Sequence, residues 1–376
     1  MTYDITEYCD EAKATDRFED DEIQPILLGL FGEVGGVMSA VKKLKREKKA
    51  YIGFRANVID ELGDAFWYFT ALARRFDVSV AQLLMELSAS VSNVSKSVVA
   101  SDDPLCPVAI SNKIGPKQGV CDQALINFGR NSADMLSVEA MTVDDRLEVM
   151  RSFARNFLVV LGECNVSFSE VLTANAKKTR SRFGKLDLAS QPDFDAEYVE
   201  YEQLPRQFTI EMRERDNGKV YLRWNGVFIG DPLTDNIAEG DGFRFHDVIH
   251  FAHAAILHWS PTMRGLLKRK RKSNPRIDES QDGGRGVVVE EGLAAWLFSK
   301  AKELDYFEGH TSVSLDLLKH IQDFVRGYEV DRCPMNLWEK CILEGYDVFR
   351  QVRENKGGLI IGDRDKRTLQ FRKLDT

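Results

Sequence analysis

Three carboxylates in the first quarter of the chain have the residue types and spacing to hold a metal ion. Glu61 and Asp64, in the segment DELGDAFWY, are three residues apart, so on a helix both side chains project from one face. Glu33, in LFGEVGGVMSAVKK, lies among apolar residues, where a lone carboxylate is costly unless a cation meets it. Oxygen ligands suit Mg²⁺, with Mn²⁺ as a substitute. Spacing alone also allows a solvated helix face with lysines nearby.

A second cluster is rich in histidine. In FRFHDVIHFAHAAILHW, His246 and His250 stand at i and i+4, a spacing that offers two imidazoles to one metal. The segment VVVEEGLAAW supplies Glu290 and Glu291 as further ligands, and zinc or manganese would suit this mixed set. The alternative is a packed core in which hydrogen bonds satisfy the histidines. Asp247 stands where the peptidase motif H-E-x-x-H has its glutamate, which argues against a peptidase.

Amphipathic helices must position the three acids. Apolar residues recur at three- and four-residue steps over residues 26–44 and again over residues 57–76, which predicts two one-sided helices. A lysine-rich stretch separates them, and Ser79 is the predicted N-cap of a third helix. Residues 101–119 contain prolines and glycines that indicate an irregular connection.

The sequence after that connection looks like a second copy of the first helices. FDVSVAQLL at residues 76–84 aligns with CNVSFSEVL at residues 164–172, an offset of 88. LFGEVGG at residues 30–36 aligns with NFGRNSA at residues 127–133, an offset of 97. Such a repeat predicts two units packed face to face, a dimer within one chain. The alternative is that any two amphipathic helices look alike.

The second copy lacks the acids of the first. The alignment places Arg130 opposite Glu33, Val149 opposite Glu61, and Ser152 opposite Asp64. We therefore expect the second copy to hold no metal by itself.

The two acidic helices resemble the MazG family of all-α nucleoside triphosphate pyrophosphohydrolases. Those enzymes pair an E-E-x-x-E helix with an E-x-x-D helix, and Glu61 and Asp64 take the E-x-x-D places in DELGDAFWYFTALARRFDVS. Glu33 takes the second glutamate position, whereas Gly32 and Gly36 replace the other two. The resemblance implies Mg²⁺-dependent hydrolysis of nucleoside or deoxynucleoside triphosphates to the monophosphate and pyrophosphate.

The end of the second copy, TANAKKTRSRFG, resembles the family's N-x-x-K-x-x-x-R element. Asn175, Lys178 and Arg182 occupy its places and are predicted to contact the substrate phosphates. With acids in one copy and basic residues in the other, the resemblance implies one composite site per chain.

The sequence divides into two predicted domains, mainly α and then α+β. The first covers residues 1–186, with repeats at about 20–100 and 120–186, and an acidic linker is predicted at 187–207. In residues 208–376 two Asn-Gly pairs between β-rich runs predict hairpins, followed by helices to about Arg353 and a polar tail. This region resembles the C-terminal domain attached to some MazG-like proteins.

Composition restricts partners and location. The formal net charge of −8 argues against broad nucleic-acid binding. Six basic residues in the run 266–276 are interpreted as a solvated helix end, or as a contact for a polyphosphate or a nucleic-acid backbone. Asp282 is among the acids able to neutralise them. Scattered cysteines, an acidic N-terminus and the lack of an 18-residue apolar run predict a cytoplasmic protein without a membrane partner. Homo-oligomerisation is left open.

Two other functions remain after the preferred one. A degenerate pyrophosphohydrolase unit would sense a nucleotide and use the C-terminal domain as its effector. Alternatively, the chemistry would lie at the histidines of the C-terminal domain, as a metal-dependent hydrolase.

Overall fold

The chain divides into two compact units, Met1–Gly184 and Lys185–Thr376. The computed structural model describes residues 4–91, 98–100, 108–110 and 122–374. The predicted connection at 101–119 therefore lies outside the described residues, apart from the short strand at 108–110.

The N-terminal unit is a helical bundle. Its helices are Ile5–Thr15 (α1), Gln24–Glu47 (α2), Phe54–Arg75 (α3), Val80–Val91 (α4), Asp122–Met135 (α5), Val143–Glu163 (α6) and Phe168–Phe183 (α7). Two short antiparallel strands, Val98–Ala100 (β1) and Val108–Ile110 (β2), also belong to it. By length and composition alone, Gln24–Ala50 could cross a membrane, but core helices of soluble proteins pass the same test.

Local signals fix the ends of these helices. Ser79 accepts a hydrogen bond from the backbone N–H of Gln82, so it is the N-cap of α4, as predicted. Ser167 and Glu170 form a capping box at the start of α7. Helix α1 has its own capping box between Asp4 and Glu7, and the sequence analysis missed this helix.

Burial shows how the two copies correspond. The buried positions of α3 recur in α6 at the predicted offset of 88, as in Leu62 and Met150. The buried positions of α2, however, recur in α5 at an offset of 98: Leu27, Leu30 and Val34 match Leu125, Phe128 and Ser132. The predicted offset of 97 was wrong, because it paired the buried Phe128 with Phe31, which is 44% exposed. Asn131, not Arg130, therefore stands opposite Glu33.

The second copy carries amides where the first has an acid and a phenol. Asn156 donates a hydrogen bond from Nδ2 to Oδ1 of Asn131. At the two offsets these residues correspond to Tyr68 and Glu33. A neutral amide pair satisfies itself and needs no cation.

The C-terminal unit is an antiparallel sheet covered by helices, as predicted. Its strands lie in the order β5-β4-β3-β6-β7. They are Gln207–Glu214 (β3), Val220–Trp224 (β4), Val227–Leu233 (β5), Gly357–Asp363 (β6) and Thr368–Arg372 (β7). Both Asn-Gly hairpins are confirmed. The predicted polar tail is instead β6 and β7, whose alternating residues bury Ile360 and Leu369 in the core.

The helices of this unit are Asp247–Ala252 (α8), Pro261–Leu266 (α9), Pro275–Ser280 (α10), Gly284–Glu303 (α11), Leu315–Phe324 (α12) and Met335–Glu354 (α13). Helix α8 continues into a π-helical segment, His253–Leu257. Such π-helical turns are rare in proteins, and many of those that occur lie at functional sites.

The predicted linker at 187–207 is part of the C-terminal unit. Asp195 is fully buried and accepts from the guanidinium groups of Arg264, at 2.6 Å, and Arg364, at 2.7 Å. Leu204 is also buried. The prediction was wrong because acidic residues that look solvated in the sequence are paired with buried arginines.

The basic run at 266–276 is also partly internal. Arg271 is 1% exposed and pairs with Asp282 at 2.6 Å and with Glu329 at 2.7 Å. The prediction that Asp282 neutralises part of this run is thus confirmed, but Arg271 lies in the fold and not at its surface.

Candidate functional site

Helices α2 and α3 bring Glu33 and Glu61 together. Their carboxyl groups share a hydrogen bond, and Asp64 lies close enough to act electrostatically on Glu33. Burial first, and then the charges of Asp64 and Glu61, raise the pKa of Glu33 from 4.5 to about 8. Glu33 thus holds a proton at neutral pH when no other cation is present.

The carboxylate of Glu61 lies directly against Gly36 of α2. A Cβ atom built on Gly36 would overlap the carboxylate of Glu61. Around Gly32, by contrast, a Cβ atom would meet nothing within 4 Å. Gly36, which departs from the family pattern, therefore provides the space that Glu61 occupies.

Lys178 on α7 meets the acidic face of α3. Its ammonium group lies 2.5 Å from a carboxylate oxygen of Asp64 and also pairs with Asp60. Its side chain is 13% exposed, so the pair is largely shielded from water. The structure thus brings together the acids of the first copy and a basic residue of the second.

Asn175 fixes the position of Asp64. Its Nδ2 donates to Asp64 Oδ1 at 2.8 Å, and its Oδ1 accepts from the Tyr8 hydroxyl at 2.8 Å. Asn175 is 3% exposed. A Cβ atom built on Gly63 would lie 2.8 Å from the Cβ atom of Asn175, so α3 and α7 are in close contact here. Asn175, which is predicted to contact the substrate, is thus hydrogen-bonded to Asp64 and to Tyr8.

Arg182 lies one turn beyond Lys178 on α7. Its guanidinium group stacks over the ring of Phe183, with 5.2 Å between the guanidinium carbon and the ring centroid. The same end of α7 contacts α1 through the ion pair of Arg180 with Glu11.

Sequence reasoning missed two residues of this site. Asp60 is one turn before Asp64 on the same face of α3, so the spacing i, i+4 in DELGD could have indicated it. Tyr8 comes from α1 and contacts Asn175 across 167 residues of sequence. No local pattern points to Tyr8.

The C-terminal unit brings its predicted residues together at α8 and α11. His246 Nε2 lies 3.3 Å from Asp247 Oδ1 and 3.5 Å from Glu291 Oε2. His250 Nε2 lies 3.3 Å from the same Glu291 oxygen. Asp247, which the predicted ligand set omitted, therefore belongs to this group.

Glu290 faces away from that group. Its Oε1 lies 2.9 Å from His253 Nδ1 and 3.2 Å from His250 Nδ1, and its Oε2 accepts from Ser260 Oγ at 3.1 Å and from the Thr262 N–H at 2.9 Å. Burial raises the pKa of Glu290, but His250 and His253 beside it together lower this pKa to about 2.

His258, the remaining histidine of this segment, lies elsewhere. Its Nε2 donates to the carbonyl oxygen of Arg364 at 2.9 Å, and its Nδ1 lies 3.5 Å from Asp193. His258 is thus buried in the packed core, apart from the group of His246, Asp247, His250 and Glu291.

Comparison with known families identifies the C-terminal unit. Residues 189–375 match the MazG C-terminal domain. No curated protein and no solved structure matches the chain. The matched range begins within the segment predicted as a linker, in agreement with the buried contacts of Asp195. Residues 189–375 therefore form a MazG C-terminal domain, which is consistent with a MazG-like protein.

Proposed function

We propose that the N-terminal unit hydrolyses nucleoside or deoxynucleoside triphosphates to the monophosphate and pyrophosphate, with Mg²⁺ held by Glu33, Glu61 and Asp64. A MazG-related domain suggests a nucleotide-related function. The acidic cluster supports triphosphate hydrolysis as that function. The observation that carries the proposal is the meeting of three carboxylates on α2 and α3, where Glu33 shares a hydrogen bond with Glu61 and lies within electrostatic reach of Asp64. Carboxylates that are brought together in a partly buried position favour a cation between them.

The donor set fits magnesium. All three groups are carboxylates, and hard oxygen ligands are those that Mg²⁺ takes in proteins. Mn²⁺ has the same preference and should substitute. Bound there, the ion would polarise the phosphate chain and favour the attack of a water molecule at the α-phosphorus.

The residues of the chain then have separate roles. Glu33, Glu61 and Asp64 would hold the ion, with Glu33 in its deprotonated form. Asn175 would keep Asp64 in place through the 2.8 Å hydrogen bond. Lys178 would contact the substrate phosphates through its ammonium group, and Arg182 would supply a second, forked contact.

A nucleotide panel tests this proposal. The full-length protein is incubated with ribo- and deoxyribonucleoside triphosphates and Mg²⁺ or Mn²⁺, and the products are separated. We expect monophosphate and pyrophosphate in equal amounts. Diphosphate and phosphate would contradict attack at the α-phosphorus. Nucleotide binding without turnover would favour a sensing module instead.

A further inference from the structure

The tautomer of His246 leaves one nitrogen facing two acids. Its Nδ1 lies 2.8 Å from the carbonyl oxygen of Phe243, which can only accept, so Nδ1 carries a hydrogen. In the neutral ring Nε2 then bears a lone pair, yet it lies 3.3 Å from Asp247 Oδ1 and 3.5 Å from Glu291 Oε2. A lone pair that faces two carboxylates is unfavourable, so this position of Nε2 requires either a second proton on the ring or a metal cation among the three groups.

His250 poses the same problem in a fully buried position. Its side chain is 0% exposed, and neither ring nitrogen makes a hydrogen bond of acceptable geometry among the described residues. The carboxylate oxygens nearest to them lie at 3.2 Å and 3.3 Å. Charge-assisted N–H···O bonds are shorter, about 2.7–2.9 Å, so these contacts are longer than those of a well-formed ion pair.

We propose that the C-terminal unit binds a divalent transition-metal ion through His246 Nε2, His250 Nε2, Asp247 and Glu291. Metal bonds to nitrogen and oxygen are about 2.0–2.2 Å long, which places neighbouring ligand atoms about 2.9–3.5 Å apart. The three distances between these side chains, 3.3, 3.3 and 3.5 Å, are of this size. Ligand atoms of His246, Asp247 and His250 also all lie within 4.8 Å of one another.

Glu290 has a supporting role in this site. Glu290 Oε1 faces Nδ1 of His250 and Nδ1 of His253. Glu290 Oε2 accepts hydrogen bonds from the Ser260 hydroxyl and the Thr262 N–H, which fix the carboxylate. A carboxylate behind a metal-bound histidine sets the tautomer and makes the ring a stronger ligand. The ligand set thus contains Asp247, and the predicted Glu290 acts through His250.

Exposure indicates how the ion enters and which ion fits. The side chains of His246, Asp247 and His250 are 8% exposed or less, whereas that of Glu291 is 41% exposed. The ion therefore enters past Glu291. Two imidazoles with two carboxylates suit Zn²⁺ among first-row metals, whereas Mg²⁺ prefers oxygen ligands alone.

Zinc titration of the full-length protein tests the proposal. Metal is removed with a chelator, and Zn²⁺ affinity is then measured by competition with a coloured chelator in excess Mg²⁺. We expect one Zn²⁺ per chain, and Glu290→Gln should weaken binding about 10–100-fold, the usual effect of losing a supporting carboxylate. Glu291→Gln and His250→Ala should weaken it at least as much.

Two control variants and one further test variant make the result decisive. His320→Ala removes an exposed histidine and should bind Zn²⁺ as the wild type does. Glu291→Gln keeps the shape of a partly exposed side chain, so it decides the matter if His250→Ala does not fold by circular dichroism. Asp64→Asn should also retain Zn²⁺, which separates this site from the proposed pyrophosphohydrolase. Absence of tight Zn²⁺ binding, or equal binding by Glu291→Gln and the wild type, would overturn the proposal.

Discussion

The carboxylate of Glu61 occupies the space beside Gly36 that the Cβ atom of any larger residue would need. The helix α2 has a second glycine, Gly32, which faces open space. Two glycines four residues apart on one helix therefore differ in their relation to the acidic cluster. A methyl group at Gly36 would meet the carboxylate of Glu61 in its present position, whereas a methyl group at Gly32 would not.

The substitution Gly36→Ala should displace Glu61 and weaken Mg²⁺ binding and turnover. Loss of a charge-assisted contact of about 1.5–3 kcal/mol corresponds to roughly tenfold or more. Gly32→Ala is the matched control, since both changes add one methyl group to the same helix and gain up to about 1 kcal/mol in helix propensity. Equal Mg²⁺ affinity and pyrophosphate release in the two variants would show that Glu61 can move without loss.

Removal of the Lys178 ammonium should slow turnover but leave Mg²⁺ binding intact. Lys178→Ala removes a positive charge 2.5 Å from Asp64, so the acids become more attractive to a cation, while the substrate loses a phosphate contact. We expect a loss in kcat/KM of roughly tenfold or more, for about 1.5–3 kcal/mol. The neighbouring Lys177 is exposed, and Lys177→Ala is the control. A simultaneous loss of Mg²⁺ affinity in Lys178→Ala would mean that the lysine holds the acids together instead.

The pKa of Glu33 predicts how stability depends on pH in the absence of metal. The folded protein keeps a proton up to a pKa of about 8, whereas the unfolded chain releases it near 4.5. The folded state therefore binds more protons between these values, and the free energy of unfolding should fall as the pH rises from about 5 to about 8. Urea unfolding with a chelator present measures this.

The substitution Glu33→Gln is the control for that slope. Glutamine stays neutral, so its contribution to the free energy of unfolding is independent of pH. With saturating Mg²⁺ the wild type should lose its downward slope, because the ion replaces the proton on Glu33. If wild type and Glu33→Gln give parallel curves in chelator, Glu33 does not carry the shifted pKa.

Short-range patterns in the sequence account for much of the fold. The period of apolar residues located α2 and α3, Ser79 marked the start of α4, and the Asn-Gly pairs gave both hairpins, because each of these features depends on neighbouring residues. The predicted alignment of α5 with α2 was wrong by one residue. Both helices contain a Phe-Gly pair, but Phe31 is exposed whereas Phe128 is buried.

Contacts between residues far apart in the chain could not be predicted from the sequence. Glu61 and Asp64 were found because one helix turn separates them, but the contacts of Tyr8 with Asn175 and of Asp195 with Arg364 join residues more than 160 positions apart. No periodicity reports such pairs. Strand β6 was missed for the same reason, because its partner β3 lies about 150 residues earlier, and β7 was missed with it because β7 pairs with β6.

The most direct test of the account is pyrophosphate release by Asp64→Asn and Glu61→Gln beside the wild type, at saturating triphosphate and Mg²⁺. Each change removes one negative charge and keeps the shape of the side chain, so the fold should survive, as circular dichroism and thermal unfolding can verify. We predict that the wild type releases pyrophosphate and that both variants lose this activity. Turnover in both folded variants at the rate of the wild type would contradict the assignment of the site to these acids.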